Sequence, residues 1–431
     1  MYLIPKMIDH LQINLKGVIL FDMEDDLIRL IFQLGIILIV AKLGGEVFER
    51  FLKQPGVLGE LIGGILIGPY ALGGMISIPY LGPLFTQAEI GPVSILYALS
   101  QIGAIVLLFT IGLGTDLRGF IKYGGPSSLI ALGGVILPFA LGDIIANAFG
   151  LASGFFDPVA LFVGAIMTAT SVGITTRVLE DIGSLRTPEG VTILGSAVID
   201  DVLGVLILAI IMNLSQASAL KGLLIVVKAV LFWLGLTGFS VLFSPFLSRL
   251  FGSFRSRGAT VALGLALVFI ASALAEMFGL AAIIGAFSMG LGLSASGMAR
   301  TMRERLQPIY DTFVPVFFVV MGMMLDVRAM RGSLLFGLAV VILATVGKVL
   351  GCGLPALGVK FNWLGALRIG FGMVPRGEVG LVIAGAGIAS GVIGSTIFGA
   401  AVMMTFATTV FMPPLLSFIF QRGGRGWKGS D

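Results

Sequence analysis

The chain has 431 residues, of which 57% are hydrophobic and 12% charged, with a formal net charge of +4. Soluble domains carry roughly 25% charged residues, so this composition excludes one and describes a polytopic membrane protein. One cysteine, Cys352, and one histidine, His10, exclude an intramolecular disulfide and a His/Cys metal cluster. The small basic excess gathers in short loops between apolar runs, which reads as membrane topology and not as nucleic-acid binding.

Residues 1–26 mix apolar residues with Lys6, Asp9, Lys16 and the Glu24-Asp25-Asp26 cluster. They lack the apolar stretch and cleavage site of a signal peptide, and are read as an interfacial segment or as an over-extended start upstream of Met23. Stretches of about 20 apolar residues then follow at 27–47, 56–75, 92–115, 126–150, 156–180, 189–212, 220–250, 258–277, 279–297, 306–325, 332–357, 363–389 and 394–420, which makes thirteen expected spans. The 62 glycines suit helices that pack closely in lipid. An odd number of spans puts the termini on opposite sides. With a cytoplasmic C-terminus, that side holds most of the loop arginines and lysines, among them Arg50, Lys53, Arg118, Lys122, Arg177, Arg186, Arg249, Arg255, Arg257, Arg300, Arg303 and Arg305. The other side keeps Lys6, Lys16, Arg29, Lys221, Arg328 and Arg331. The positive-inside rule therefore places the N-terminus outside and the C-terminus inside a cell (inner) membrane. Residues 421–431 are expected to form a short solvated cytoplasmic tail.

Two segments keep the same Gly, Asp and Arg spacing: Leu107-Leu-Phe-Thr-Ile-Gly112-Leu-Gly-Thr-Asp116-Leu-Arg118 and Phe317-Phe-Val-Val-Met-Gly322-Met-Met-Leu-Asp326-Val-Arg328. Upstream of each, Ile62-Gly-Gly-Ile-Leu-Ile-Gly68 resembles Ile284-Gly-Ala-Phe-Ser-Met-Gly290. The matched spans are seven apart in the order above, so they cross the membrane in opposite directions. That is the signature of inverted-topology repeats: repeat one at about 27–212, a linker helix at about 220–250 and repeat two at about 258–420. Such folds place their substrate near the midplane, between interrupted helices. Met167-Thr-Ala-Thr-Ser-Val-Gly-Ile-Thr-Thr176 interrupts the fifth span with hydroxyls that compete for the backbone. Gly372-Met-Val-Pro375-Arg376-Gly377-Glu378-Val-Gly380 interrupts the twelfth with a proline that removes a helical hydrogen bond.

Asp200 and Asp201 lie mid-way along the sixth span. Each charge there costs roughly 2.5–3.5 kcal/mol on insertion scales, and an intramembrane acid points to an ion or proton path. Neighbours on a helix point about 100° apart, so one aspartate can face a partner while the other faces a cavity. The candidate partner is Lys348 in the eleventh span, since a carboxylate beside a buried lysine lets both stay charged. Arg376 and Glu378 flank the second break and are read as supporting residues. Glu60 and Glu276 sit near span ends, where they can meet interfacial water, with Glu60 read as a further supporting residue; Lys42, Lys228 and Arg368 are read as snorkelling or interfacial. No phosphate-binding loop, nucleophile elbow or zinc-ligand spacing suggests an enzyme or a cofactor.

Several segments in combination resemble the monovalent cation:proton antiporter 2 family, which includes bacterial sodium/proton antiporters and the membrane part of Kef-type potassium systems. They are Gln54-Pro-Gly-Val-Leu-Gly-Glu-Leu-Ile-Gly-Gly-Ile-Leu-Ile-Gly-Pro69, Thr168-Ala-Thr-Ser-Val-Gly-Ile-Thr175, Ala197-Val-Ile-Asp-Asp-Val-Leu-Gly204, Phe278-Gly-Leu-Ala-Ala-Ile-Ile-Gly-Ala-Phe-Ser-Met-Gly290 and Pro375-Arg-Gly-Glu-Val-Gly-Leu381. The resemblance spans residues 28–420. It implies crossed, unwound helices in a core domain that moves like an elevator beside a dimerisation domain. It implies Asp201 as the cation carrier, with Asp200 paired to Lys348. An Asp-Asp pair implies electrogenic exchange of two protons per sodium, and the Kef-type nucleotide-binding domain has no counterpart here.

The expectation is thus an all-α polytopic membrane protein of about thirteen transmembrane helices, with two inverted repeats and crossed discontinuous helices. It is expected to be a homodimer exchanging Na⁺ for H⁺ across the bilayer. Asp201 is expected to hold the cation, Na⁺ or K⁺, with Thr168, Thr170 and Ser171 as hydroxyl or backbone ligands. A K⁺/H⁺ antiporter is the alternative; a cation channel and a non-transporting scaffold are the more distant ones.

Overall fold

The computed structural model describes residues 27–78, 82–91, 94–214, 219–254, 256 and 258–428. The expectations for residues 1–26 and for Arg255 and Arg257 therefore lie outside the described residues. The structure is helical nearly throughout, with one two-residue hairpin, Ser77–Ile78 against Gly82–Pro83. Helix α1 covers 27–47 and widens into a π-turn at Phe48–Leu52. Then come α2 (Gly56–Ile67), the single turn α3 (Leu72–Met75), α4 (Ile95–Gly114), α5 (Leu117–Ala148), α6 (Pro158–Thr168), α7 (Val172–Asp181) and α8 (Pro188–Leu214). The second half holds α9 (Ala219–Ser253), α10 (Ala259–Met277), α11 (Ala282–Ser294), α12 (Ala299–Met323), α13 (Leu334–Gly358), α14 (Trp363–Gly372), α15 (Glu378–Ala389) and α16 (Ser395–Gln421). Among the described residues, ten helices or joined helix pairs are long and apolar enough to cross a membrane. The protein is a multi-pass membrane protein.

Apolar composition alone would run these helices together; short polar side chains separate them. Ser94 accepts a hydrogen bond from the Tyr97 amide at the start of α4, and Asn362 accepts from Gly365 at the start of α14. Asp157 accepts from Val159, with Pro158 in the first turn of α6, where its missing amide costs nothing. Asp116 accepts from the amides of Arg118 and Gly119, so α5 begins at Leu117, nine residues before the expected 126. Pro126 and Pro138 lie inside that helix. Asp326, the counterpart of Asp116 in the repeated motif, likewise accepts from the Arg328 amide and opens the 3₁₀ turn Val327–Ser333 before α13.

The helices pack as two bundles. In the first, α4 lies against α11 and α12, α12 against α2, and α11 against α9 and α10. In the second, α5 lies against α6, α8 and α13, α13 against α14 and α16, and α15 against α6 and α16. Glycines set the closest crossings of the first bundle. A Cβ on Gly112 would meet Gly290 and the Phe287 carbonyl of α11, and a Cβ on Gly322 would meet Gly64 and the Leu61 carbonyl of α2. Without a hydrophobic drive between helices in lipid, such close backbone approach supplies much of the packing energy. Gly64→Ala would push a Cβ into the Val319 carbonyl and is expected to destabilise the protein by about 1–3 kcal/mol. Unfolding in detergent checks this against Gly235→Ala, where nothing lies within 4 Å of the added atom.

Candidate functional site

Two helix breaks meet in the second bundle. Helix α6 ends at Thr168 and α7 begins after Ser171; α14 ends at Gly372 and α15 begins at Glu378. Pro375 brings no amide to the second link, and Ser171 caps α7 by accepting from the Ile174 amide. The freed backbone groups bond across the crossing. The Ser171 amide donates to the Pro375 carbonyl at 2.7 Å, Thr170 Oγ1 to the Met373 carbonyl at 3.2 Å, and Thr175 Oγ1 to the Gly372 carbonyl at 3.0 Å. Arg376, fully buried, donates to the Ala169 carbonyl at the end of α6 and to the Ala344 carbonyl of α13 at 3.3 Å. A guanidinium at the C-terminal end of a helix meets the negative pole of the helix dipole. Thr408 and Thr409 of α16 hold the backbone of Arg376: its amide donates to Thr408 Oγ1 at 3.2 Å and its carbonyl accepts from Thr409 Oγ1 at 2.7 Å. This threonine pair was missed in the sequence, where two adjacent hydroxyls inside the apolar run 394–420 were its one signal.

Helix α8 passes the crossing and carries both aspartates, Asp200 2% and Asp201 3% exposed. Lys348 Nζ of α13, fully buried, lies 2.7 Å from Asp200 Oδ1. Thr170 and Arg376 also act on Asp200. Asp201, one residue on, is rotated about 100° from it. Helix α8 is pinned to α5 one turn before the pair, where Ser196 Oγ donates to the Ser127 carbonyl at 3.1 Å and Ser127 Oγ to the Thr192 carbonyl at 3.2 Å.

Of the expected site residues, the structure thus gathers Asp200, Lys348, Thr170, Ser171 and Arg376. Thr168 spends its hydroxyl on the Ala165 carbonyl of its own helix, at 2.8 Å. Glu378 is the first residue of α15, and its side chain lies outside the described residues. Glu60 belongs elsewhere: it is buried in α2 and faces Arg177, Lys42 and Asp181, away from interfacial water.

Arg368, expected to snorkel or to lie at the interface, is 7% exposed; it pairs with Glu189 at 2.8 Å and donates to the Gly424, Phe420 and Arg422 carbonyls. The tail, in turn, is exposed at 421–425 and 428 and docks through Gly426 and Trp427. The Asn362 amide donates to the Gly426 carbonyl, Lys428 donates to the Lys360 carbonyl, and Trp427 stands edge-on to Tyr123 and Phe361. Carbonyls of a chain end attract a buried guanidinium that has one carboxylate and donors to spare.

This arrangement can neutralise one acid internally while a second acid stands beside it in a buried polar crossing. The family model for the sodium/hydrogen exchanger transmembrane domain matches residues 35–422. The chain belongs to this family of transporters. The sodium/hydrogen exchanger chain is 36% identical to the Na(+)/H(+)-K(+) antiporter GerN of Bacillus cereus, over 93% of its own length and 98% of that protein. It is also 36% identical to the high-affinity Na(+)/H(+) antiporter NhaS3 of Synechocystis sp., over 91% of its own length and 90% of that protein. Its fold matches the sodium proton antiporter MjNhaP1 of Methanocaldococcus jannaschii with a TM-score of 0.67 at 19% identity, covering 91% of this exchanger and 99% of that chain.

Removing one partner of a buried ion pair leaves an uncompensated charge and costs about 3–5 kcal/mol. Lys348→Ala is therefore expected to lower the unfolding temperature in detergent markedly. Adding Asp200→Asn to that variant should return most of the loss, and a double variant no more stable than Lys348→Ala alone would count against the pair.

Proposed function

We propose that this chain is a secondary active Na⁺/H⁺ antiporter in which Asp201 carries the cation and exchanges it for protons. The observation that carries the reading is the Asp200–Lys348 pair, 2.7 Å apart and buried beside Asp201 where two broken helices cross. A carboxylate can hold a proton or a sodium ion but not both, so competition at one site couples the two fluxes. Asp200 and Lys348 form the charge-balanced neighbour: when Asp201 takes a cation, the pair can shed a proton, and net charge then moves with each cycle. Thr170 and Ser171 stand at the crossing as hydroxyl and backbone ligands, and Thr168 one turn behind them. Alternating exposure of the site to the two faces makes the exchange vectorial.

The packing supports inverted repeats of about 27–212 and 258–420. Exchanging the halves pairs α2 with α11, α4 with α12, α5 with α13, the α6–α7 pair with α14–α15, and α8 with α16. Under that exchange, the contact of α4 with α11 becomes that of α12 with α2, and the contacts of α5 with α6 and α8 become those of α13 with α14 and α16. The second bundle, which holds the crossing, is the part we assign to elevator-like movement against the first, with α9 as the link and the first bundle as the dimer-forming surface. The arginine-rich end, with Arg118, Lys122 and Arg186, faces the cytoplasm, and the N-terminus lies outside.

In proteoliposomes, Asp201→Asn and Asp201→Ala are expected to abolish sodium-driven proton movement; full exchange by either variant would sink the assignment. Proton flux against a panel of alkali cations at imposed voltages reads the ion and the charge balance together. Potassium is the second reading, because the name of the relative GerN joins it to sodium. Cation current without proton coupling would turn the reading to a channel.

A further inference from the structure

The two bundles are joined away from the crossing by a cluster that the exchange reaction does not use. At the end of α7, in the second bundle, Arg177 donates through Nη1 to Tyr310 Oη of α12, in the first, at 2.6 Å. Tyr310 Oη donates onward to Glu180 Oε2 at 2.6 Å, and Arg303 of α12 reaches Glu180 Oε1 at 3.0 Å. Arg177 also pairs with Asp181 at 3.2 Å and faces Glu60 of α2. Tyr310 is 3% exposed, so the two bonds to its hydroxyl are shielded from water and stronger than surface pairs, while the Arg303–Glu180 pair is partly exposed, at 34% and 22%.

We propose that Arg177, Glu180, Arg303 and Tyr310 form an inter-bundle clasp that favours the bundle arrangement seen here over the alternate one. The inference rests on the elevator reading above. Hydrogen bonds of 2.6–3.0 Å weaken steeply beyond about 3.2 Å, so they cannot persist once the bundles slide past one another. They belong to one end state and bias the equilibrium toward it. Their mechanical link to the site is α7 itself. Its ten residues make a rod of about 15 Å; Ser171 and Thr175 tie one end to the second break, and Arg177 and Glu180 tie the other to α12. Tyr310 is thus a positioning residue that touches neither cation nor proton carrier.

Tyr310→Phe keeps the ring over which the Arg177 guanidinium lies, 5.4 Å from the centroid, and removes both hydroxyl bonds. In proteoliposomes, the ratio of apparent sodium affinities measured from the two faces is expected to change roughly tenfold, since a hydrogen bond to a charged group shifts a two-state balance by at least that factor. Exchange dependent on Asp201 persists, and Glu180→Gln moves the ratio the same way, with the double variant adding little. An unchanged ratio, or additive effects, overturns the clasp. Spin labels at Arg186→Cys and Glu304→Cys test it without transport, because the native Cys352 is buried. Tyr310→Phe should add a second distance population, and an identical distance distribution overturns the proposal. A wild-type protein that exchanges nothing would overturn the antiporter reading, while the label distances would still judge the clasp.

Discussion

Burying Asp200, Asp201 and Lys348 in an apolar bundle is the constraint on which the rest of the structure depends. Desolvating an isolated charge costs more than most packing interactions return, so a fold that keeps three must compensate locally. The 2.7 Å contact between Lys348 and Asp200 compensates two of them. It is also the kind of interaction that adds little net stability compared with an apolar pair of the same volume. Under the reading proposed above its place in a membrane bundle is functional: it maintains an ionisable acid at depth beside Asp201.

The broken helices follow from the same constraint. Continuous helices satisfy their own backbone and leave no polar groups for an ion; unwinding exposes donors and acceptors that lipid cannot satisfy. In this protein the two links satisfy one another, Ser171 against Pro375 and Thr170 against Met373, and Arg376 takes up the Ala169 and Ala344 carbonyls. Arg376 is a second buried cation that acts on Asp200, so the positive charge around that acid comes from two places, α13 and the α14–α15 link. The crossing is a polar island whose backbone groups are largely bonded within it.

Much of this was legible in the sequence because the responsible residues break local rules. Pro375 inside an apolar run, four hydroxyls between Met167 and Thr176, and two acids mid-span each contradict an uninterrupted helix. The α5 start was misplaced because the apolar count ignored Asp116, whose capping bonds to Arg118 and Gly119 draw a polar stretch into the helix. The pairing of Arg368 is hidden in the sequence for a different reason. Its partners, Glu189 and three carbonyls from 420–424, are distant in sequence, and an isolated arginine in a span looks the same whether it snorkels or pairs. Glu60 likewise appears as a lone acid near a span end, since Arg177 approaches it only after α2 and α7 pack.

These long-range contacts share a location. Arg368 with Glu189 joins the middle of α14 to the start of α8, and Arg177, Glu180 and Tyr310 join α7 to α12. Helices α7, α8 and α14 are also the elements that carry Ser171, the aspartate pair and the edge of the second break. Each therefore links the buried polar crossing to an ion-paired cluster at the arginine-rich end. Apolar packing between such helices is non-directional and tolerates sliding; hydrogen-bonded ion pairs at their ends do not, because their geometry is narrow. Under the elevator reading proposed above, a bundle built this way would slide along its apolar faces and be indexed by its charged ends, so a site of fixed chemistry would be presented in two discrete positions and not in a continuum.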